Sequence, residues 1–496
     1  MSNNSNTLAK AVRLAILSTI AAPASVMAGG FSLNEQSAAT MGYANAGAAA
    51  HAESASIVIF NPAGMGQLSG TNVSFGAAYL DIDAEAKGET QETTNRVGFE
   101  EKGSGGGDIA DPAILPSLFV THEVNDSIDV GFAIHAPYGL AADYDNDFEG
   151  RFFADKTELS VISFSPSLSV NNGEGLSMGV GINIMYAEGR LSRYQDVRGL
   201  LVQNTNIQAY AAGTGQTVGS VADSTADNYE STFGAPYSDV EGDDIATNFR
   251  VGFLYDISNQ TQVGLTYQTA TDFELEGDLK VTGAPNSNDV SVGGGGPQIN
   301  SQLPTLSEKA SVPLDIPESV TVGLSHRLND DITLLAGATF ARWSRFEELD
   351  VFSEEGNNGE VSGLLGATGD QPLTHATEEW KNTWQFNAGG IWQATPEWKL
   401  KAGYAYDESP VDEYVTARVP SQDRHWLTLG TQWADAQSGW TVDAAVGTLI
   451  FDGNAKVSER EFSHDDPTGA PVSAASYQAE YDLSAWSASI EVSKAF

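Results

Sequence analysis

The stretch GLSMGVGINIMYAEGR, residues 175–190, decides the fold, because apolar and polar residues alternate along it. Every second residue from Leu176 to Tyr186 is apolar, and most of those between are small or polar, such as Ser177 and Asn183. A period of two is that of a β-strand, whose successive side chains point to opposite faces. One face of this strand suits an apolar environment, and the other suits water or a plug rather than a dense core.

The same alternation recurs through the chain and predicts fourteen strands. Short turns such as NNGEG and ATPE alternate with long connections. This arrangement is typical of a transmembrane β-barrel of the outer-membrane type, since hydrocarbon offers no hydrogen-bond partners and only a closed sheet satisfies every strand. A soluble β-sandwich is the alternative, but sandwiches rarely carry seven long loops on alternate connections. The predicted strands lie near residues 72–82, 113–123, 128–137, 157–170, 175–191, 245–257, 261–274, 316–327, 331–343, 380–393, 397–407, 422–433, 439–451 and 481–496.

The first 28 residues have the features of a signal peptide. Lys10 and Arg13 precede an apolar run over residues 14–24, and residues 26–28, VMA, match a signal-peptidase site. A membrane anchor is the alternative, but the run is shorter than the roughly 20 residues that a spanning helix needs. We therefore expect export to the outer membrane of a Gram-negative bacterium.

Composition limits the partners further. The chain has no cysteine, so its stability must come from backbone pairing and burial rather than disulfides. Its formal net charge is −42, which excludes a nucleic-acid partner, because phosphate contacts need basic patches. At an outer-membrane surface, we expect contacts with lipid and lipopolysaccharide and a monomeric protein.

Residues 29–70 are rich in Ala, Ser, Gly and Asn and lack the strand pattern. A barrel of eight strands is filled by its own side chains, whereas sixteen or more leave an aqueous channel, so fourteen should leave a lumen that leaks. The simplest place for residues 29–70 is inside that lumen. We therefore predict three parts: a signal peptide (1–28), a partly helical hatch (29–70) and the barrel (71–496).

Several separated motifs together resemble the FadL-type outer-membrane transporters of long-chain fatty acids and hydrocarbons. The resemblance covers most of the chain after residue 28, and it implies a fourteen-stranded barrel, an N-terminal hatch, and passive diffusion of an apolar substrate. The motifs are GGFSLNEQSAATMGYANAGAAA (29–50), FNPAGM (60–65), YGLAADYD (138–145), WSRFEEL (343–349), YDESPV (406–411) and RVPSQDRHWLTLGT (418–431).

The resemblance assigns the NPA motif of the hatch to Asn61, Pro62 and Ala63. Pro62 fixes its own φ and Asn61 can bond nearby backbone, which suits a rigid turn in a polar lumen. An ordinary Asn-Pro loop turn is the alternative. The resemblance also implies that Phe31 and Leu33 reach a substrate pocket, with packing inside the hatch as the alternative.

A fatty acid needs a partner for its carboxylate, and arginine suits that role best. Arg193 falls where fatty-acid members of the resembling family carry a basic residue, and a surface arginine is the alternative. After WSRFEEL, where such members often have a second basic residue, this chain has Asp350. That departure favours a second hypothesis, the uptake of neutral hydrocarbons such as alkanes or monoaromatics.

Pro137, Tyr138 and Gly139 end the third predicted strand. Proline cannot donate to a strand ladder and glycine tolerates a bulge, so the neighbouring strand loses partners there. In the resembling family the third strand is kinked at such a gap, which implies a lateral opening in the barrel wall. The alternative is that Pro137 merely ends the strand.

Other functions find little support in the sequence. GLSMG matches the G-x-S-x-G nucleophile pattern, but Ser177 lies inside an alternating strand rather than on a strand-to-helix turn. His122 and Glu123 lack the second histidine of H-E-x-x-H, and no phosphate-binding loop is present. We therefore expect neither an enzyme nor a cofactor. A general porin is a further alternative, against which the hatch argues.

The run DYDNDFEG spaces Asp143, Asp145, Asp147 and Glu149 at alternate positions, which suits oxygen ligands for Ca²⁺ or Mg²⁺. An EF-hand loop has glycine at its sixth position, where this chain has Phe148. We favour a solvated acidic loop over a metal site. Acidic outer loops are expected to recruit divalent cations or to reflect a salty habitat.

Overall fold

A computed structural model describes residues 29–293, 295–365, 367 and 371–496, so the predicted signal peptide lies outside the described residues. The described chain forms one closed antiparallel barrel in which each strand pairs with the next and the last pairs with the first. This confirms the predicted fourteen strands. They are β1 (Thr71–Thr94), β2 (Ala113–Asn125), β3 (Ile128–Asp143), β4 (Lys156–Phe164 and Ser167–Asn171), β5 (Leu176–Tyr194), β6 (Tyr237–Ser258), β7 (Thr261–Gln268 and Thr271–Thr282), β8 (Leu306–Ile316 and Ser319–Arg327), β9 (Ile332–Ala341), β10 (Thr383–Gln393), β11 (Trp398–Asp407), β12 (Arg424–Asp435), β13 (Trp440–Phe451 and Ala455–Arg460) and β14 (Ser476–Ala495).

The outer face of the barrel is apolar at the end nearer the short turns. On β5, Met178 and Val180 are 44% and 51% exposed, as side chains that face lipid should be. Tyr186, further along the same face, is buried. The apolar band therefore ends before the strand does, and the strand continues beyond it into the long-loop end.

Several strands are longer than the alternation predicted. The connection predicted at 275–315 contains the end of β7 and the start of β8, which pair with each other from Thr271–Ile316 to Val281–Leu306. Strand β6 begins at Tyr237, inside the connection predicted at 192–244. Along the extension of β7, Phe273 and Leu275 are buried while Glu274 between them is exposed, so the extension rises above the apolar band with a charged outer face.

Tryptophans near strand ends are predicted to form the aromatic girdles of such a barrel, but some of them face inward instead. The tryptophans near strand ends in this sequence are Trp343, Trp380, Trp384, Trp398, Trp426, Trp433 and Trp440. Trp343, Trp380 and Trp426 are buried, so their assignment to the girdles was wrong. Trp384, Trp398 and Trp440 are 43–46% exposed on the outside, as that assignment requires. The sequence places all of these side chains near strand ends but does not distinguish the lumen from the lipid.

Helices occur only in the hatch and the long loops of the described chain, and none of them is long and apolar enough to cross a membrane. A two-stranded hairpin, Val290–Gly293 with Gly296–Ile299, packs against the loop helices. The helices are α1 (Ala38–Met41), α2 (Ile57–Phe60), α3 (Val197–Leu201), α4 (Thr205–Thr214), α5 (Val218–Phe233) and α6 (Glu360–Leu365), and short 3₁₀ turns cover Pro62–Gln67, Trp343–Arg345 and Gly356–Asn358.

The backbone of the predicted hatch runs against glycines on the inner wall. A methyl group on Gly264 would lie 1.8 Å from the carbonyl oxygen of Ala49, and one on Gly403 would lie 2.1 Å from the backbone of Tyr43. Only glycine permits such close approach of two backbones. Members of this glycine belt lie on neighbouring strands around the wall: Gly179, Gly252, Gly264, Gly323, Gly337, Gly389, Gly403 and Gly430.

A buried ion cluster fixes the hatch to β11 and β13. Lys401 donates to Asp443 at 2.7 Å and to the carbonyl oxygen of Ala39 at 3.0 Å. Lys399 pairs with Glu53 of the hatch at 2.6 Å. Because each of these buried charges has a partner of opposite sign, removing one would leave its partner uncompensated.

Candidate functional site

An apolar cavity lies between the tip of the hatch and the long-loop end of the wall. Phe31 reaches it from the hatch, so the structure brings this predicted residue to a pocket. Its walls come from alternate residues of several strands and from the loop that follows β9. The apolar lining includes Leu140, Leu159, Leu191, Val240, Leu275, Val312, Leu314, Phe346, Leu349 and Val419.

Aromatic rings hold Phe31 in place. Its ring centroid lies 5.5 Å from that of Trp343, 5.3 Å from Phe346 and 5.0 Å from Trp380. Edge-to-face contacts at these separations are favourable beyond the burial of area alone. Gly30 makes the approach possible, because a methyl group there would lie 2.3 Å from Trp343 and its φ is +66°.

The charged groups of the cavity are mainly acidic or already paired. Arg190 forms two hydrogen bonds with Asp239, at 2.8 and 3.0 Å. Glu158 and Glu378 also line the cavity. Glu378 accepts from Trp380 Nε1 at 2.9 Å, and burial raises the pKa of its carboxyl to about 8. A protonated Glu378 therefore presents a neutral surface near pH 7.

A second buried arginine lies beside the cavity. Arg418 donates to Thr157 Oγ1 at 2.9 Å and to the carbonyl oxygen of Ser192 at 3.1 Å. Thr157 lines the cavity, so the hydrogen bond from Arg418 holds one residue of the cavity wall in place. Sequence reasoning missed both Arg418 and Glu378, although Arg418 opens the quoted motif RVPSQDRHWLTLGT.

Arg193 lies in a different place from Phe31. It lines a groove at the long-loop end, and its Nη2 is 3.4 Å from Thr374 Oγ1. We call this the outer groove. Leucines are the most frequent of its lining residues, and Leu364 and Leu365 are 59% and 55% exposed. An exposed apolar surface of this kind marks a site for binding apolar molecules.

One buried apolar cluster connects the outer groove to the cavity. Leu279 lines the groove and Leu275, four residues earlier on β7, lines the cavity. Both belong to the cluster that contains Phe31 and Tyr138. Packed apolar side chains therefore extend from the groove to the tip of the hatch.

The third strand is kinked at the predicted residues. Strand β3 pairs with β2 only from Asp129 to Ile134, apart from an irregular contact at the turn. Against β4 the register shifts between His135 and Tyr138, so that Ala136 and Pro137 both oppose Ile162. Strand β3 thus carries a bulge at Ala136 and Pro137 and is no longer paired with β2 beyond Ile134.

The tip of the hatch bonds with the kinked strand. Leu33 N donates to Pro137 O at 3.0 Å, and Gly139 N donates to Phe31 O at 3.0 Å. On the short-turn side of this contact lies a polar chamber that Leu33, His135, Pro137 and other residues line. The tip thus separates the apolar cavity from the inner chamber, and Leu33 faces the chamber rather than the cavity.

The NPA residues anchor the hatch to the wall. Asn61 donates to Ala49 O at 2.6 Å and to Phe253 O on β6 at 3.0 Å, and its Oδ1 accepts from Ala63 N at 3.0 Å. Pro62 opens the 3₁₀ turn that follows. These contacts place Asn61, Pro62 and Ala63 at the wall, away from the apolar cavity.

The acidic run after β3 makes contacts within the loops. Asp143 pairs with Lys156, Asp147 accepts from Ser104 Oγ at 2.7 Å, and Glu149 accepts from Gly103 N at 3.2 Å. A methyl group on Gly107 would lie 2.7 Å from Asp145. The carboxylates hold the β1–β2 connection against the β3–β4 connection.

Comparison with known proteins identifies the class to which this fold and site belong. Residues 18–496 match the model of the outer membrane protein transport family, OMPP1/FadL/TodX, and the chain belongs to that family. It is 26% identical over 427 residues to the long-chain fatty acid transport protein of Escherichia coli O6:H1, which covers 86% of this chain and 87% of the relative.

Solved structures show the same fold. The crystal structure of a Pseudomonas aeruginosa FadL homologue superposes with a TM-score of 0.74 at 20% identity, covering 94% of this chain and 100% of the other. The Pseudomonas putida toluene transporter TodX gives a TM-score of 0.60 at 16% identity, covering 94% and 99%. The protein is therefore an outer-membrane transport protein, as its sequence predicted.

Proposed function

We propose that this protein carries hydrophobic small molecules, long-chain fatty acids among them, across the outer membrane by passive diffusion. The observation that carries the proposal is the single apolar cluster that connects the outer groove to Phe31 at the tip of the hatch. Such a path favours apolar molecules over ions or sugars, because polar solutes lose hydration along it without gaining partners. The fatty acid transport protein of E. coli and the toluene transporter TodX agree with that substrate class.

The exit that we propose is lateral, through the wall at the kink. Beyond Ile134, β3 leaves β2, and its backbone groups at Pro137 and Gly139 bond with the hatch instead. Proline is also present on the facing strand, where Pro116 pairs with Ala77 of β1. A substrate that displaces the tip at Phe31 gains a way between β2 and β3 into the bilayer.

Neutral hydrocarbons are the second candidate substrate. Within the described lining of the cavity, the arginine is already paired with Asp239, and the remaining charged groups are carboxyl groups. A fatty acid carboxylate would lack a cationic partner there, although Arg193 is available to it in the outer groove. An alkane or a monoaromatic compound needs no such partner. A fatty acid suits the cavity best in its protonated form.

Uptake by cells tests the proposal and separates the two candidates. A strain without its own transporter of this kind receives the wild-type protein, Leu275→Trp in the cavity, or Leu427→Trp on the lipid face, where Leu427 is 45% exposed. We expect Leu275→Trp to reduce uptake of labelled substrate severalfold and Leu427→Trp to leave it unchanged. Labelled oleate and labelled alkane are compared in parallel. Equal uptake by the wild-type protein and both variants contradicts a path through the cavity.

A further inference from the structure

Two histidines and two carboxylates from separate loops meet at the long-loop end. Glu348, Asp350, His375 and His464 each direct one ligand atom inward, and these atoms all lie within 4.8 Å of one another. His375 Nδ1 is 2.6 Å from Asp350 Oδ1, and His464 Nδ1 is 2.8 Å from Asp350 Oδ2. Glu348 Oε2 is 3.8 Å from His375 Nδ1 and 3.4 Å from His464 Nδ1.

Local backbone pairing positions three of the four residues. Val351 N donates to Thr374 O at 2.9 Å, and Leu349 and Ala376 exchange hydrogen bonds at 2.8 and 3.1 Å. Side chains two apart on an extended segment share a face. Glu348 and Asp350 therefore point together, and His375 lies on the paired segment. His464 comes from the connection between β13 and β14.

The hydrogen bonds of His375 determine which ring nitrogen can bind a ligand. Thr377 Oγ1 donates its only proton to Pro467 O at 3.0 Å, so it must accept the proton of His375 Nε2, 3.1 Å away. In the neutral ring, Nδ1 then carries a lone pair, and it faces Asp350 Oδ1. Two lone pairs at 2.6 Å repel each other unless a proton or a metal ion lies between them.

A second contact in the cluster lacks a hydrogen bond. Asp350 is 2% exposed, yet its Oδ2 has no hydrogen-bond partner, because the nearby His464 Nδ1 is not aligned to donate to it. His464 Nδ1 likewise has no hydrogen-bond partner. An unpartnered carboxylate oxygen at this depth is costly unless a cation occupies the space that it faces.

We propose that Glu348, Asp350, His375 and His464 bind one zinc ion. Imidazole and carboxylate ligands in a four-coordinate set suit zinc better than calcium, which takes six to eight oxygens. Tetrahedral ligands about 2.0–2.1 Å from zinc lie roughly 3.3 Å apart, so the short pairs must open by about half an ångström or slightly more, and the widest pairs, up to 4.8 Å apart, must close by up to about 1.5 Å. Thr377, bonded to His375 Nε2, is the outer partner that metal-binding histidines commonly have.

The zinc ion fastens two loops beside the apolar cavity. Leu349, between the two carboxylate ligands, points the other way and lines that cavity. Asp350 thus has a new role in this chain, at the position where the sequence suggested a missing basic residue. Binding of zinc holds the segment after β9 against the β13–β14 connection and keeps Leu349 at the cavity wall.

Calorimetry on the full-length folded protein in detergent, stripped of metal by a chelator, tests the proposal with ZnCl₂ as the probe. We expect one zinc per chain with an affinity in the micromolar range or tighter, and no competition from Ca²⁺. His464→Gln and Asp350→Asn should each weaken binding at least roughly tenfold. The matched control is His425→Gln, since His425 pairs with Asp452 at 2.9 Å outside the cluster.

A second measurement uses Co²⁺, whose visible absorption reports tetrahedral coordination by these ligands. His464 is partly exposed in a loop, so His464→Gln should fold, which the heat-dependent shift of barrel mobility in gels verifies. Failure of the wild-type protein to bind zinc overturns the proposal, and the cluster is then held together only by contacts between the histidines and the carboxylates. Equal binding by the wild-type protein and His464→Gln overturns it too.

Discussion

Leu33 donates its backbone hydrogen bond to the carbonyl oxygen of Pro137 at 3.0 Å, so the tip of the hatch occupies the position of a neighbouring strand beside the kinked β3. The contact is reinforced by the bond from Gly139 to Phe31 O. Backbone groups that β2 no longer satisfies are thereby paired inside the lumen. In the lateral exit that we propose, movement of the tip and opening of the wall are coupled through these two hydrogen bonds.

Replacement of Pro137-Tyr138-Gly139 by Val-Thr-Val should seal the wall. The new residues supply a donor and favour regular strand pairing, so uptake should fall steeply while binding in the outer groove persists. Uptake of labelled substrate by cells is the measurement, with Pro116→Val as the comparison on the facing strand. Wild-type uptake by the triple variant means that the substrate leaves by another route.

Gly252→Ala should loosen the hatch. A methyl group at Gly252 would lie 1.9 Å from Asn61 Oδ1, so the NPA turn must leave the wall. Ion conductance in planar bilayers should rise, and deletion of residues 30–66 should raise it further. Gly390→Ala is the control, because its methyl group meets its nearest neighbour at 3.7 Å. If none of these changes alters conductance, the long loops close the lumen instead.

Arg193→Ala should weaken the binding of a fatty acid by about 1–3 kcal/mol, the scale for a charge-assisted hydrogen bond. Alkane binding should stay the same, because an alkane has no carboxylate for Arg193 to meet in the outer groove. Calorimetry with both ligands distinguishes the two effects. Equal losses for both ligands assign Arg193 a structural role.

Glu378→Gln should make the protein less sensitive to alkaline pH. Burial raises the pKa of Glu378 from its ordinary value of 4.5 to about 8. The protonated carboxyl therefore contributes its full stabilisation of the fold below pH 4.5, and this stabilisation is lost as the pH rises through 8. The thermal unfolding temperature of the wild-type protein should fall more between pH 5 and pH 9 than that of Glu378→Gln. If the unfolding temperatures of the two proteins fall equally with pH, the stabilisation is not due to protonated Glu378.

The apolar band of the barrel was readable from sequence because lipid and lumen alternate on each strand, as in residues 175–190. The residues of the apolar cavity were harder to predict from the sequence. Phe31 was predicted, but Trp343 was assigned to the outside, since its spacing does not show which way an irregular segment after β9 turns. Glu378 and Arg418 are single residues in long connections, and only the folded loops bring them together near the cavity.

The residues of the proposed zinc site were even harder to predict from the sequence. Glu348, Asp350, His375 and His464 span more than a hundred residues and match no spacing rule for metal ligands. Of the four, the sequence indicates only Asp350 as unusual, because members of the resembling family often have a basic residue at that position. Local pairing brings His375 to it, and a distant connection brings His464.

The glycine belt has a consequence for how the chain assembles. The hatch precedes β1, and β1 closes the barrel by pairing with β14 from Asn72–Ala495 to Thr94–Ser476. At Gly264 and Gly403 the backbone of the hatch lies directly against the backbone of the wall. A closed barrel therefore leaves no space there for the hatch to enter afterwards. We therefore expect the open sheet to wrap around a hatch already in position, with the β1–β14 seam closing last, so that the N-terminal segment serves as the template on which the barrel is shaped.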